Sequence, residues 1–175
     1  MVLRRWFSVL FLFFAITVGG CGQGPTGPSP AAGGAATVRR VVDGDTITVS
    51  LGSSNEKVRL LGIDTPESVK PNTPVECFAK QASARTASLL PPGTDVRLVR
   101  DVEERDRYGR LLAYVYRVSD GLFVNLDLVR GGFALPLTYP PNVSHADELV
   151  QAARTARQAR RGLWADCPAA SSLPP

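Results

Sequence analysis

The sequence is poor in the residues that build most soft-metal and redox sites. It has one histidine, three cysteines and one methionine in 175 residues. No histidine or cysteine lies near its acidic motifs, so a zinc or thiolate centre at those motifs is excluded. His145, the sole histidine, follows a helix-cap signal, and a structural or solvated role suits it better than catalysis. Long apolar runs are missing too. The longest stretch, residues 6–18, "WFSVLFLFFAITV", falls short of the about 20 residues that span a bilayer. There is no internal repeat. The formal charge is only +4, so a nucleic-acid partner cannot be argued from total charge.

What is present is arranged by position. Arg4 and Arg5 precede the apolar run, which is the pattern of a secretion signal. The run ends in "VGGCG", which resembles a bacterial lipoprotein processing site, so residues 1–20 are expected to be removed and Cys21 lipidated. Several acyl chains on one cysteine anchor stably where one is marginal. The expected location is therefore extracytoplasmic and membrane-anchored, with plain secretion as the alternative. Loss of the leader takes Arg4 and Arg5 with it and lowers the charge to +2. Residues 21–36 follow as an uncharged Gly/Pro/Ser/Ala tether. A folded domain is expected over 37–167, with 168–175 as a disordered tail.

With Cys21 lipidated, Cys77 and Cys167 are left as an even pair in an oxidising compartment. A disulfide between them is expected, with two buried thiols as the alternative.

Periodicity divides the domain. "TVRRVVDGDTITVSL", 37–51, reads as two strands around the Asp43-Gly44 turn. Strands are expected over 57–63, 94–101 and 110–118. Helices are expected over 74–90, 123–132 and 144–164, the last with Ser144 and Asp147 as a capping box and Gly162 at its end. Five short, mostly antiparallel strands with about three helices suggest an α+β fold dominated by β, a small Greek-key barrel of the OB type. An open α+β sheet stays possible on spacing alone.

The chemistry gathers at "RLLGIDTPES", 59–68. Pro66 fixes its own φ and biases Thr65 away from helix, so the strand stops and Asp64 and Glu67 are carried onto a turn. If the strands on either side of residues 52–56 pair antiparallel, Asp45 comes beside Asp64. Two ionised carboxylates so placed repel unless a cation or proton lies between them. Hard oxygen donors point to Ca²⁺ or Mg²⁺. Arg59 enters the same turn, and Arg110 ends the loop "RDRYG". Guanidinium forks bind phosphate oxygens in pairs. A cation, a carboxylate base and two arginines are what phosphodiester hydrolysis requires.

"VVDGDTITV", "VRLLGIDTPES", "DRYGRLLAYVY" and "NLDLVRGGFA" together resemble the thermonuclease (staphylococcal nuclease) family, in order and spacing, over about residues 37–165. The resemblance implies an OB-fold barrel and a Ca²⁺-dependent nuclease acting on DNA and RNA, preferring single-stranded or locally open substrate and leaving 3′-phosphate ends. It implies that Asp45, Asp64 and the Thr65 carbonyl hold Ca²⁺, with Asp43 behind them. Glu67 would position or deprotonate water, and Arg59 and Arg110 would clamp the phosphate. Tyr108 would bond a terminal phosphate, and Tyr139 would flank a base or sugar if one residue is missing from the loop before it. A monomer is expected. Domains that only bind nucleic acid also occur in the family and are the alternative reading. The intact set of Asp45, Arg59, Asp64, Glu67 and Arg110 argues against it. The loop 68–76 departs from expectation, with Lys70 its only cation.

Overall fold

The computed structural model describes residues 34–67 and 75–167. The expected leader, Cys21, most of the tether and the expected tail lie outside the described residues. Four strands alternate buried apolar residues with polar ones, and a fifth pairs with them. They are β1 (Gly34–Val41), β2 (Thr46–Leu51), β3 (Ser54–Leu60), β5 (Asp95–Val99) and β6 (Leu111–Arg117). They close into a barrel in the order β1-β2-β3-β6-β5, with β5 returning to β1. The expected OB-type barrel therefore stands. Val38, Ile47, Val49, Val58, Leu60, Val96 and Val115 fill it and are fully buried.

Three particulars differ from expectation. Gly34–Ala36, read as tether, pair with Leu98–Val96 and belong to β1; the strand is made by backbone pairing with a distant segment, which a local pattern does not reveal. β3 and β6 run parallel, with Arg59 opposite Leu112. That pairing joins distant segments, which a local pattern does not reveal. A further two-stranded sheet joins β4 (Ile63–Asp64) to β7 (Leu135–Pro136).

Helix α1 (Ala79–Leu89) starts later than expected. Glu76 gives its backbone N–H to the Glu67 carbonyl, so residues before Phe78 are spent on another contact. Helix α2 (Val124–Arg130) lies where expected. The expected last helix is two: α3 (Ala146–Gln158) and α4 (Leu163–Asp166). The break comes from a close backbone approach, in which Leu163 N–H bonds the Gly132 carbonyl at 2.9 Å. A Cβ on Gly162 would lie 2.8 Å from the Gly131 carbonyl oxygen, so only glycine fits.

Ser144 does not cap α3. Its hydroxyl donates to Asp101 Oδ1 at 2.9 Å and its N–H to Oδ2 at 3.0 Å. His145 packs edge-on against the Tyr114 ring at 4.4 Å, and its Nδ1 is 3.1 Å from Glu148. No helix among the described residues is long and apolar enough to cross a membrane.

Candidate active site

The turn between β1 and β2 carries Asp43, Gly44 and Asp45. Asp43 Oδ1 accepts the Asp45 N–H at 3.1 Å, an Asx turn that tightens the bend. Gly44 is held from both sides. The buried Thr86 hydroxyl of α1 donates to its carbonyl at 2.6 Å. On the other face, a Cβ at Gly44 would sit 2.5 Å from Thr65 Oγ1. The turn is thus pressed against Thr65, and α1 supports it from behind.

Asp45 is buried and fully engaged. Its Oδ2 accepts from Thr65 N–H at 3.0 Å and Thr65 hydroxyl at 3.1 Å. Its Oδ1 accepts from Thr46 hydroxyl at 3.1 Å and lies 3.2 Å from Arg59 Nε. Antiparallel pairing of β2 and β3 sets Thr46 opposite Arg59, which delivers this contact.

Arg59 organises the group. Nη1 donates to the Leu60 and Ile63 carbonyls, each at 2.8 Å, and Nη2 donates to Asp64 Oδ1 at 2.9 Å. Three of its five N–H groups thus donate hydrogen bonds, and Nε adds the ion pair to Asp45. One N–H on Nη2 keeps no acceptor among the described residues. Sequence reading assigned Arg59 to phosphate; the structure adds that it fixes both carboxylates.

Partial desolvation pushes the Asp64 carboxyl above the usual carboxylate range, although more than half of its side chain is accessible. The Arg59 charge opposes this, and the charges of Asp45, Glu76 and Glu67 reinforce it. Asp43 is also raised, first by burial and then by Asp45. These carboxyls therefore share one anionic field.

Glu67 and Glu76 bond each other, with Glu67 N–H to Glu76 Oε2 and Glu76 N–H to the Glu67 carbonyl, both 3.0 Å. Glu76 was missed by sequence reading, being taken for part of a helix.

Arg110 stands two residues ahead of Leu112, the residue opposite Arg59. Arg110 itself immediately precedes β6. Asp106 orients Arg110, accepting from its Nε at 2.6 Å and its N–H at 2.9 Å. Partial burial opposes ionisation of Asp106, but the bonds from Arg110 and Tyr108 outweigh it and hold its carboxyl below the usual range. The signal for Asp106 was its place at the head of the "DRYG" turn.

Tyr108 is largely exposed, bonded through its hydroxyl to Arg107 at 2.6 Å, with the Arg110 guanidinium 5.5 Å from its ring. Tyr139 is exposed on the loop after β7. Asn142 ties that loop to the one before β6, accepting from Glu103 N–H at 2.8 Å and donating to its carbonyl at 3.1 Å. Cys77 and Cys167 are bridged, with Cα atoms 5.9 Å apart.

The structure thus joins Asp43, Asp45, Arg59, Asp64 and Thr65 directly, with Glu67 two residues beyond Thr65. Residues 57–166 match the sequence model of the staphylococcal nuclease homologue family. The chain belongs to the staphylococcal nuclease family. A thermonuclease from Staphylococcus intermedius is 44% identical over 127 residues, covering 73% of this chain and 74% of that protein. A thermonuclease from Staphylococcus hyicus is 40% identical over 129 residues, covering 74% and 75%. The endonuclease YncB of Bacillus subtilis is 36% identical over 129 residues, covering 73% of this chain and 60% of that protein. The family makes this chain an enzyme, a phosphodiesterase of the nuclease kind.

Proposed function

We propose that the chain is a Ca²⁺-dependent nuclease that hydrolyses DNA and RNA, preferring single-stranded or locally open substrate, and leaves 3′-phosphate ends. The observation that carries the reading is the single charged group in which Arg59 is ion-paired to both Asp45 and Asp64. Its donor set is all oxygen, which suits a hard cation. Among the described residues no three carboxylate, histidine or cysteine side chains surround one centre. Two carboxylates fit Ca²⁺ when a carbonyl, water and substrate phosphate supply the remaining oxygens. Asp45, Asp64 and the Thr65 carbonyl would hold it, with Asp43 behind. Bound there, Ca²⁺ would neutralise charge on a nonbridging phosphate oxygen.

The chain's own residues carry the rest. Glu67 takes a proton from water as its oxygen bonds to phosphorus. The bond from phosphorus to the 5′ oxygen breaks, that oxygen takes a proton from solvent to leave as a hydroxyl, and the phosphate stays on the 3′ side. Arg110, aimed by Asp106, and the remaining Nη2 N–H of Arg59 take up charge on the phosphoryl oxygens. Tyr108 bonds a terminal phosphate, and Tyr139 flanks a base or sugar.

The test is to incubate the purified domain with single- and double-stranded DNA and RNA, with Ca²⁺, Mg²⁺ or chelator. Cleavage that needs Ca²⁺ and yields 3′-phosphates supports the reading. Retardation of labelled DNA without shortening would replace it with a binding role. The N-terminal motifs support anchoring outside the cytoplasm through lipidated Cys21. Mass spectrometry of the mature N-terminus checks this, and an unmodified terminus at another residue would refute it.

A further inference from the structure

Glu67 stands on irregular chain, three residues past the end of β4, and no strand ladder fixes it. Its backbone N–H and carbonyl both go to Glu76. Glu76 itself has little packing to hold it. Val75, Glu76 and Cys77 are all exposed, Val75 by 53%. What holds this segment begins at Cys77. That residue is bridged to Cys167, which is buried with Phe78, Ala156, Leu163 and Trp164. Phe78 packs against Phe133 with ring centroids 5.5 Å apart, and Ala79 N–H bonds the Glu76 carbonyl at 3.1 Å. A covalent bond thus ties the C-terminal helix to the residue next to Glu76, and Glu76 ties that anchor to Glu67.

We infer that the Cys77–Cys167 disulfide, acting through Glu76, positions the Glu67 carboxylate, so that hydrolysis is fast only while the bridge is closed. This rests on the reading of Glu67 given above. The physical reason is the sensitivity of reaction rate to placement: a shift of about 1 Å in a reacting group can cost about 10²-fold. An external dithiol opens the bridge by two thiol–disulfide exchanges. The dithiol leaves as its cyclic disulfide, and its two electrons and two protons end on the Cys77 and Cys167 thiols. Among the described residues, Glu76 is then joined to the C-terminal helix without a covalent bond, through Phe78, the start of α1 and the contact of Cys77 Sγ with the Asp166 carbonyl.

The experiment measures kcat and KM on a short single-stranded DNA with saturating Ca²⁺, below the Tm of each variant. It uses the oxidised full mature chain, Cys77→Ala/Cys167→Ala, Glu76→Ala, Glu76→Gln and Glu67→Gln. The bridge-less chain and Glu76→Ala are expected to lose about tenfold or more in kcat, with KM little changed. Glu76→Gln keeps most of the rate, because its amide oxygen still accepts from Glu67 N–H. Combining the bridge and Glu76→Ala changes adds little, since both break one route. Amide exchange at Glu67 rises in the bridge-less chain while that of β2 does not.

Wild-type kcat in the bridge-less chain, with only a lower Tm, overturns the inference and leaves the bridge a staple. If that chain does not fold, wild-type kcat in Glu76→Ala overturns it with the bridge intact. Wild-type activity in Glu67→Gln overturns the reading of Glu67 itself, and the inference with it.

Discussion

Arg59 Nη2 lies 2.9 Å from Asp64 Oδ1, and the two residues are joined by a turn at Gly62, whose φ is +75°. The same guanidinium reaches Asp45. One side chain therefore holds two acidic residues, one just before β2 and one in β4, that meet at the open end of the β2–β3 hairpin. Arg59→Lys is expected to fall at least about 10²-fold in kcat/KM, the scale of losing one transition-state donor. An ammonium has three donors and no planar fork, so it cannot serve two carboxylates and two carbonyls. Activity within threefold of wild type would show that this geometry is dispensable.

Glu67→Ala and Arg110→Ala are each expected to cost at least about 10²-fold in rate. Asp106→Ala should cost less, since Arg110 survives and loses only its orientation. Single-turnover cleavage of an end-labelled oligonucleotide ranks the three. Asp106→Ala slower than Arg110→Ala would contradict the assigned roles.

Gly44→Ala is expected to lower activity more than it lowers stability. The added methyl meets Thr65 and pushes apart the two segments that share Asp45. Thr86→Ala removes the buried hydroxyl behind Gly44, and such an orphaned acceptor costs about 1–3 kcal/mol. Urea unfolding and steady-state kinetics on both variants separate the effects.

Asn125 is fully buried and bridges two elements, accepting from Val115 N–H at 2.9 Å and donating to the Leu61 carbonyl at 2.8 Å. Asn125→Ala strands a donor and an acceptor in the interior. A loss of about 2 kcal/mol or more is expected, read as a drop in the urea midpoint. An unchanged midpoint would mean that water or a backbone shift repairs both bonds.

Asp101 links the loop after β5 to the start of α3. Burial opposes its ionisation, but bonds from Ser144 and the Tyr114 hydroxyl prevail and hold its carboxyl below the usual range. A depressed folded pKa stabilises the fold above the unfolded value, about 3.9, and this is lost as pH falls through the folded one. Asp101→Asn should therefore be less stable than wild type at pH 7, with the gap closing below about pH 4. Urea midpoints from pH 7 down to pH 2.5 check this; a gap that stays constant would exclude the linkage.

Much of this site could be read from the chain, for a local reason. Asp64, Thr65, Pro66 and Glu67 are consecutive, and Pro66 dictates the turn that presents them. Asp45 could be added because hairpin pairing is short-range. Thr86 and Glu76 could not. A threonine on a helix face and a glutamate before a helix carry no mark of their distant partners. Ser144 shows the converse: its spacing to Asp147 fits a capping box, yet Asp101, 43 residues away, takes its hydroxyl.

By itself the sequence determined the segments of the main barrel strands and of α2, which turns are sharp and which side chains carry charge beside Asp64. These follow from side-chain periodicity, proline and glycine, which act over a few residues. Tertiary structure decided the parallel pairing of β3 with β6, which sets Leu112, two residues after Arg110, opposite Arg59. It also decided the close approach of Gly132 to Gly162 that splits the last helix, and the clasp of Glu76 on Glu67. Each depends on which backbone groups meet after the barrel closes, and that is fixed by packing across tens of residues.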